Sequence, residues 1–212
     1  GRRVLTDVSF VVPAGDRVGL IGENGSGKST LLRVIAGSLS ASAGTIDVNS
    51  ADAGAAVVGL LHQEAPFSAA ATIAECLETA VAAARRAVEA VSALGTAVAN
   101  SPDDRQIADS YATALETADR LGAWEVDARV ATVLNGLGLS GIDRDRATGT
   151  LSGGQRSRLA LAWLLLRAPD VLLLDEPTNH LDDAATAYLV SVLKAWNGPL
   201  LIASHDREFL DE

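Results

Sequence analysis

Gly22-Glu23-Asn24-Gly25-Ser26-Gly27-Lys28-Ser29 matches the pattern G-x-x-x-x-G-K-[ST]. Residues of these types at this spacing suit one task, the gripping of a polyphosphate. The glycines let the backbone wrap an oxyanion without side-chain clashes. Several N–H groups and the positive end of a following helix then point at one anion. Lys28 would reach the β- and γ-phosphates, and the Ser29 hydroxyl would ligate Mg2+. A second chemical group stands far along the chain. Val171-Leu172-Leu173-Leu174-Asp175-Glu176 is an apolar run that ends in two carboxylates. A Mg2+ held by Ser29 needs a carboxylate at the tip of a neighbouring strand, and Asp175 fits, acting through water. Strand side chains alternate, so Glu176 points elsewhere, toward a water that would attack the γ-phosphate. Four apolar residues and then Asp-Glu is a weak signal alone; paired with a phosphate loop it is a strong one.

These groups need elements that hold them. Val4 to Val12 reads as a strand, Pro13-Ala14-Gly15-Asp16 as a turn and Arg17 to Ile21 as a short apolar strand. A helix is expected from about Lys28 to Ala36, with Gly37 just past its end. Thr45 to Val48 and Ala55 to Leu61 look like further strands. A helix from about Gln155 to Arg167 is broken by Pro169-Asp170. Val171 to Leu174 suits a parallel strand buried on both faces. Asp182 to Trp196 reads as helix, Leu200 to Ser204 as the last strand, and a further helix starts near Asp206. Strands alternating with helices argue for an α/β layer fold.

The middle of the chain has another rhythm. Leu77, Val81, Ala84, Val88, Val91, Gly95 and Val98 step alternately by four and three, a heptad seam with no proline from Thr72 to Ala99. Asn100-Ser101-Pro102-Asp103 interrupts it. Ser101 is expected to cap the next helix, with Pro102 in its first turn and Asp103 and Asp104 at its positive end. Ile107, Tyr111, Ala114, Ala118 and Leu121 repeat the spacing. The pattern predicts an antiparallel helical hairpin whose first helix is roughly 40 Å long. An ordinary surface helix pair with no recognition role fits the same residues.

With Leu151-Ser152-Gly153-Gly154-Gln155 added, the chain resembles the ATP-binding cassette family, of which this pentapeptide is the signature. The resemblance implies a P-loop ATPase fold: a mainly parallel sheet, a small antiparallel β part and an inserted helical subdomain that carries the hairpin arm. The expected boundaries are 1–65 and 168–212 for the ATP-binding core and 66–167 for the helical subdomain. The arm would cover about 72–122 and the signature loop 151–155. It further implies that each ATP is sandwiched between one phosphate loop and the partner's signature, so that hydrolysis to ADP and phosphate needs two cassettes. The loop from Gly22 to Ser29, with Thr30 beside it, would bind this chain's ATP. Ser152, Gly153, Gly154 and Gln155 would contact a nucleotide held by another cassette. Gln63 fits the glutamine that reaches the metal and the attacking water, Asp182 the acidic residue of the loop that crosses the dimer seam, and His205 the switch histidine at the γ-phosphate. His62 and His180 receive no catalytic role, and Cys76 reads as a small buried apolar residue.

The stretch from Asp175-Glu176-Pro177-Thr178-Asn179-His180-Leu181-Asp182 to Ser204-His205-Asp206-Arg207 looks like the ABC-F branch. That branch carries two cassettes on one chain, no membrane domain, and an arm in its first cassette. It implies a cytoplasmic protein gated by ATP at the ribosome, in translation control or in protection from antibiotics. The 89 positions from Gln63 to Ser152 leave room for such an arm. The aromatic residue on which the family usually stacks adenine would precede Val4, before this chain begins. With no methionine among its 212 residues, the chain is expected to be a piece of something longer.

Composition bounds these readings. At 48% hydrophobic and 21% charged residues the chain can form a core, and with 4% aromatics that core must be aliphatic. A single cysteine excludes internal disulfides and cysteine-based zinc sites. No apolar run approaches the roughly 18–20 residues needed to span a bilayer. The net charge is -10, and Glu64 to Asn135 holds 11 acidic and 5 basic residues, a poor surface for phosphate backbones. If ribosomal RNA is bound, other segments must supply the positive charge. Two other readings stay open. One is the ATPase subunit of a membrane transporter, with a membrane partner. The other is a nucleotide-sensing module with little turnover. A second cassette, in the same chain or as a homodimer, is the expected partner of the leading reading.

Overall fold

The structure, a computed structural model, describes residues 4–23, 25–49, 56–61, 65–206 and 209–210. Asn24, His62, Gln63, Glu64, Arg207 and residues 50–55 lie outside the described residues, and so do the roles expected of Asn24 and Gln63.

β1 (Arg17–Leu20) leads through the glycine loop into α1 (Lys28–Ile35). β2 (Val58–Leu61) follows, and then the long α2 (Ile73–Asn100) and α3 (Arg105–Arg120). A 3-10 turn at Ala123–Glu125 opens α4 (Val126–Gly136), and another at Thr148–Thr150 precedes α5 (Gly153–Leu166). β3 (Val171–Asp175), α6 (Asp183–Lys194) and β4 (Leu200–Ala203) complete the order. The four strands form one parallel sheet in the order β1-β4-β3-β2.

Period-two alternation divides the core into two layers. Val171, Leu173, Leu201 and Ala203 pack with Leu32 of α1 on one face. Leu172, Leu174, Leu200 and Ile202 pack into the larger cluster with α5 and α6 on the other. Leu172, Leu173 and Leu174 are wholly buried, as a central parallel strand requires. Gly59, in the middle of β2, lets this packing close. A Cβ there would stand 2.6 Å from Pro169 and 2.7 Å from Leu164.

The helical hairpin forms as the heptad spacing predicts. Thr72 and Glu75 make a reciprocal capping box at the start of α2. Leu77, Val81, Ala84 and Val91 are buried along the seam, and Gly95 lies against the Tyr111 ring. Cys76 is buried as expected. Burial pushes its thiol above the ordinary range, and the Glu75 carboxylate adds to the shift.

Several local expectations are corrected. Val4–Val12 pairs with no strand among the described residues: Val11 is 88% exposed and Val8 and Phe10 about half so. Apolar alternation is present there, but alternation alone does not form a ladder, and the segment joins neither edge of the four-stranded sheet among the described residues. Thr45–Val48 carries no ladder among the described residues, and the strand expected from Ala55 is described from Val58. The antiparallel β part is therefore absent from the sheet of the described residues, apart from a single Thr72–Ala147 bridge. The cap of α3 is Asp104, not Ser101. The Asp104 carboxylate accepts from the Gln106 and Ile107 N–H groups at 2.9 and 3.2 Å, while Ser101 ends α2. An ionised acceptor at the positive helix end outcompetes a hydroxyl three residues earlier.

Gly59→Val is expected to lower stability by about 1–3 kcal/mol through overpacking. Gly141→Ala, which would meet nothing within 4 Å, should stay within about 0.5 kcal/mol in the same thermal melts. Cys76 should react with an aromatic disulfide reagent at neutral pH no faster than α2 opens, and rapidly in denaturant. Fast labelling of the native chain contradicts the burial.

Candidate nucleotide site

All four strands are parallel, so their carboxyl ends lie along one edge. The register places Leu20 beside Ala203, Ala203 beside Asp175, and Leu61 beside Leu174. The chain leaves this row into the glycine loop after Leu20, into Glu176 after Asp175 and into Ser204-His205 after Ala203. Such a row is where open α/β sheets bind ligands. Asp175 stands two strands from Leu20, roughly 10 Å at the usual spacing. Alternation puts it in the row of Val171 and Leu173, which packs on α1.

The loop has the conformation that a phosphate needs. Gly25 and Gly27 have φ of 83° and 104°, values closed to most side chains. A Cβ on Gly22 would come within 2.8 Å of Ser26 Oγ. The Ser26 N–H donates to the Glu23 carbonyl at 3.1 Å, tightening the turn. Gly27 starts α1 with no side-chain cap, so the N–H groups of Lys28, Ser29 and Thr30 have no intrahelical acceptor. They and the helix dipole, about half a unit charge, form an anion site. Lys28 Nζ donates to the carbonyls of Gly22 at 2.6 Å and Glu23 at 3.2 Å, folded over the same loop. The residues thus fit a polyphosphate. The Ser29 hydroxyl and the Asp175 carboxylate are hard oxygen donors that suit Mg2+.

Glu176 takes the left-handed conformation, φ 48°, rare for a residue with a side chain. Its N–H donates to the Ala203 carbonyl at 2.7 Å, which clamps the turn to β4. Its carboxylate lies 2.8 Å from His205 Nδ1, a hydrogen bond in which the ring N–H donates. The His205 backbone N–H and Ser204 Oγ lie 3.4 and 3.5 Å from the same oxygen. Ser204 is fully buried and accepts from the Asp206 N–H at 3.1 Å. Asp206 in turn accepts from the Phe209 N–H, the expected start of the last helix. The sequence reading brought Glu176 and His205 to one site; it quoted Ser204 within the Ser204–Arg207 stretch but gave it no role.

The signature stands at a second helix start. Ser152 Oγ accepts from the Gln155 N–H at 3.2 Å, and Gln155 Oε1 from the Ser152 N–H at 3.0 Å. This capping box leaves the N–H groups of Gly153 and Gly154 without intrahelical acceptors. The Ser152 hydroxyl accepts in the box and still has its own proton to donate. A groove of about 690 Å³ runs from Gly153, Arg156 and Ser157 of α5 to Asp175 and Glu176, past Asn179 and His180. No described residue of the phosphate loop lines it. Asp182 caps α6, its Oδ1 accepting from the Ala185 N–H at 2.9 Å, and its Oδ2 faces Arg158 at 3.9 Å.

A glycine loop, an acid-tipped strand and a second helix start on a parallel sheet define a P-loop nucleotide-binding domain. The sequence profile of the ABC transporter family matches residues 5–179, and the chain belongs to that family. It is 42% identical over 99% of its length to the tylosin resistance ATP-binding protein TlrC of Streptomyces fradiae, covering 38% of that protein. It is 34% identical over 98% of its length to the energy-dependent translational throttle protein EttA of Mycobacterium tuberculosis, covering 36% of it. These relatives are ABC-F proteins, and the chain spans little more than a third of their length. Among solved structures, an ATP-binding subunit of an ABC transporter shares the fold, with a TM-score of 0.68 and 23% identity over 95% of this chain and 73% of that one. Among the described residues no helix is long and apolar enough to cross a membrane.

Gly27→Ala would force a Cβ to 3.0 Å from Leu5 and 3.1 Å from Val4 at a φ of 104°. Binding of a fluorescent ATP analogue is expected to weaken by about tenfold or more. Unchanged binding would remove the loop from the site.

Proposed function

We propose that the chain is the first ATP-binding and ATP-hydrolysing cassette of a two-cassette ABC-F protein that acts on the ribosome. Its work would be translation control or protection from a ribosome-targeting antibiotic, in the cytoplasm. The observation that carries this is the separation of the two anion-binding helix starts. Ser152 and Gly153 are exposed at the start of α5, and no described residue of the phosphate loop lines the groove beside Gly153. A triphosphate on the Gly22–Ser29 loop then needs its second half from another cassette, which also receives Asp182's loop.

The roles follow from chemistry. Gly22 to Gly27 and the N–H groups of Lys28, Ser29 and Thr30 hold the phosphates. Lys28 leaves the loop carbonyls to neutralise the terminal phosphates. Ser29, Asp175 and Gln63 would hold Mg2+, which offsets charge on the phosphate oxygens when bound. Glu176 accepts the proton of the attacking water, and His205, which touches it, exchanges that contact for the γ-phosphate. The core would comprise 1–65 and 168–212, and the helical subdomain 66–167. The names of the tylosin-resistance and translational-throttle relatives support a ribosomal setting. The α2–α3 hairpin supports an arm-bearing cassette.

In the full-length protein, Glu176→Gln with ATP is expected to accumulate a closed, ATP-retaining state that co-sediments with ribosomes, with turnover reduced at least about 100-fold. Without such a state the mechanism fails. For the chain by itself, specific activity should be weak and rise with protein concentration. Robust turnover independent of concentration contradicts a shared site.

A further inference from the structure

Arg158 lies on α5, six residues beyond Ser152, and belongs to none of the motifs above. Its Nη1 donates to the carbonyl of Leu137, the last cap of α4, at 3.2 Å. The same nitrogen faces Asp182 Oδ2 at 3.9 Å. Gly138, next to that cap, has φ 64°, and a Cβ on it would stand 2.9 Å from Arg158 Nη1, so the backbone makes room for the guanidinium. Nε is buried with no partner among the described residues. The side chain is 19% exposed and that of Asp182 66%. One planar group therefore meets three elements: the end of α4, the helix that begins at the signature, and the acidic loop that caps α6.

Stability does not account for this arrangement. An ion pair at this separation, with one partner largely in solvent, contributes little to folding. It does limit where Asp182 can sit relative to Ser152. Oδ1 is committed to the Ala185 N–H, so the direction of Oδ2 is set by Arg158 alone among the described ion pairs.

We propose that Arg158 is a positioning residue for ATP hydrolysis, one that locks the Asp182 loop to the signature helix so that both meet the other cassette's nucleotide as one rigid surface. This rests on the reading that Ser152 and Asp182 act across a shared interface. Arg158 touches no reacting atom in this scheme; it fixes the two groups that would. A small misplacement of such groups costs rate while leaving the chain's own nucleotide binding intact. Lysine is expected to replace it only in part, because its ammonium sits on a flexible stem where the guanidinium is a rigid plane.

The test is a double-mutant cycle in the full-length protein, with Arg158→Gln, Asp182→Asn and both together, read as kcat, KM for ATP and melting temperature. Arg158→Gln is expected to lower kcat by about tenfold, with KM and melting temperature nearly unchanged. Added to Asp182→Asn it should cost little more, because the pair acts as a unit. Arg158→Lys should recover part of the loss, and it carries the test if Arg158→Gln folds poorly. The proposal is overturned if kcat is unaffected, if kcat and melting temperature fall together in both Arg158 variants, or if the two losses multiply. Ser152→Arg separates the levels. If it leaves turnover intact, the shared-site reading fails and takes this inference with it. If it abolishes turnover while Arg158→Gln does not matter, only the inference about Arg158 fails.

Discussion

A parallel sheet buried on both faces keeps charge out of its middle and confines polar groups to the strand ends. Here the faces are closed by α1 on one side and by α5 and α6 on the other. Leu172, Leu173 and Leu174 are wholly buried, so the centre of β3 admits no charge. The first residues that can carry charge are those just past the strand ends. The parallel register sets those ends level, which places the glycine loop, Asp175, Glu176 and His205 along one row. Proximity of groups more than a hundred residues apart is thus a consequence of strand direction and core burial, before any contact among them is made.

At that edge the chain repeats one device in two versions. Both α1 and α5 begin at glycines and present unbonded N–H groups. α1 has no side-chain cap, so its first three N–H groups remain for a ligand. α5 is capped by the Ser152–Gln155 box, which satisfies one N–H and leaves two. The first start suits a phosphate chain wrapped by backbone; the second suits a terminal oxyanion brought to it. The open groove beside Gly153 agrees with a surface that receives rather than encloses.

The parts legible in the sequence were those fixed by local rules. The phosphate loop, the signature, β3 and the heptad hairpin depend on neighbours within a few residues, and the structure has them where the pattern puts them. Where the reading failed, long-range or competing terms decided. Val4–Val12 alternates like a strand, yet alternation cannot say whether the segment docks on a sheet edge. The choice between Ser101 and Asp104 as cap is a contest between two acceptors, and charge won. α4 went unread because its buried residues, Val126, Val130, Val133 and Leu134, follow a 3-10 turn and carry no strong cap. The contacts of Ser204 and Arg158 were invisible for a related reason. Their partners lie on other elements, so spacing along the chain carries no trace of them.

The arm's root follows from the same packing. Thr79 on α2 accepts from Trp163 Nε1 of α5 at 3.1 Å, and Arg167 stacks over that indole at 4.6 Å. Arg85 of α2 reaches Asp127 of α4 at 2.9 Å. Arg129 of α4 donates to Leu121 at the end of α3, at 2.8 Å, and faces the Leu166 carbonyl at the end of α5, at 3.5 Å. The base of the hairpin and the signature helix therefore share one buried cluster with several polar staples. Close-packed interiors do not deform continuously. A displacement of the hairpin base consequently strains α5 or moves it as a body, and α5 carries both Ser152 at its start and Arg158 against the acidic loop. Beyond the base, seam residues such as Ala84, Gly95 and Ala114 bury little area. The outer arm is held chiefly by helix capping and close backbone approach, which makes it the part of the lever that yields first.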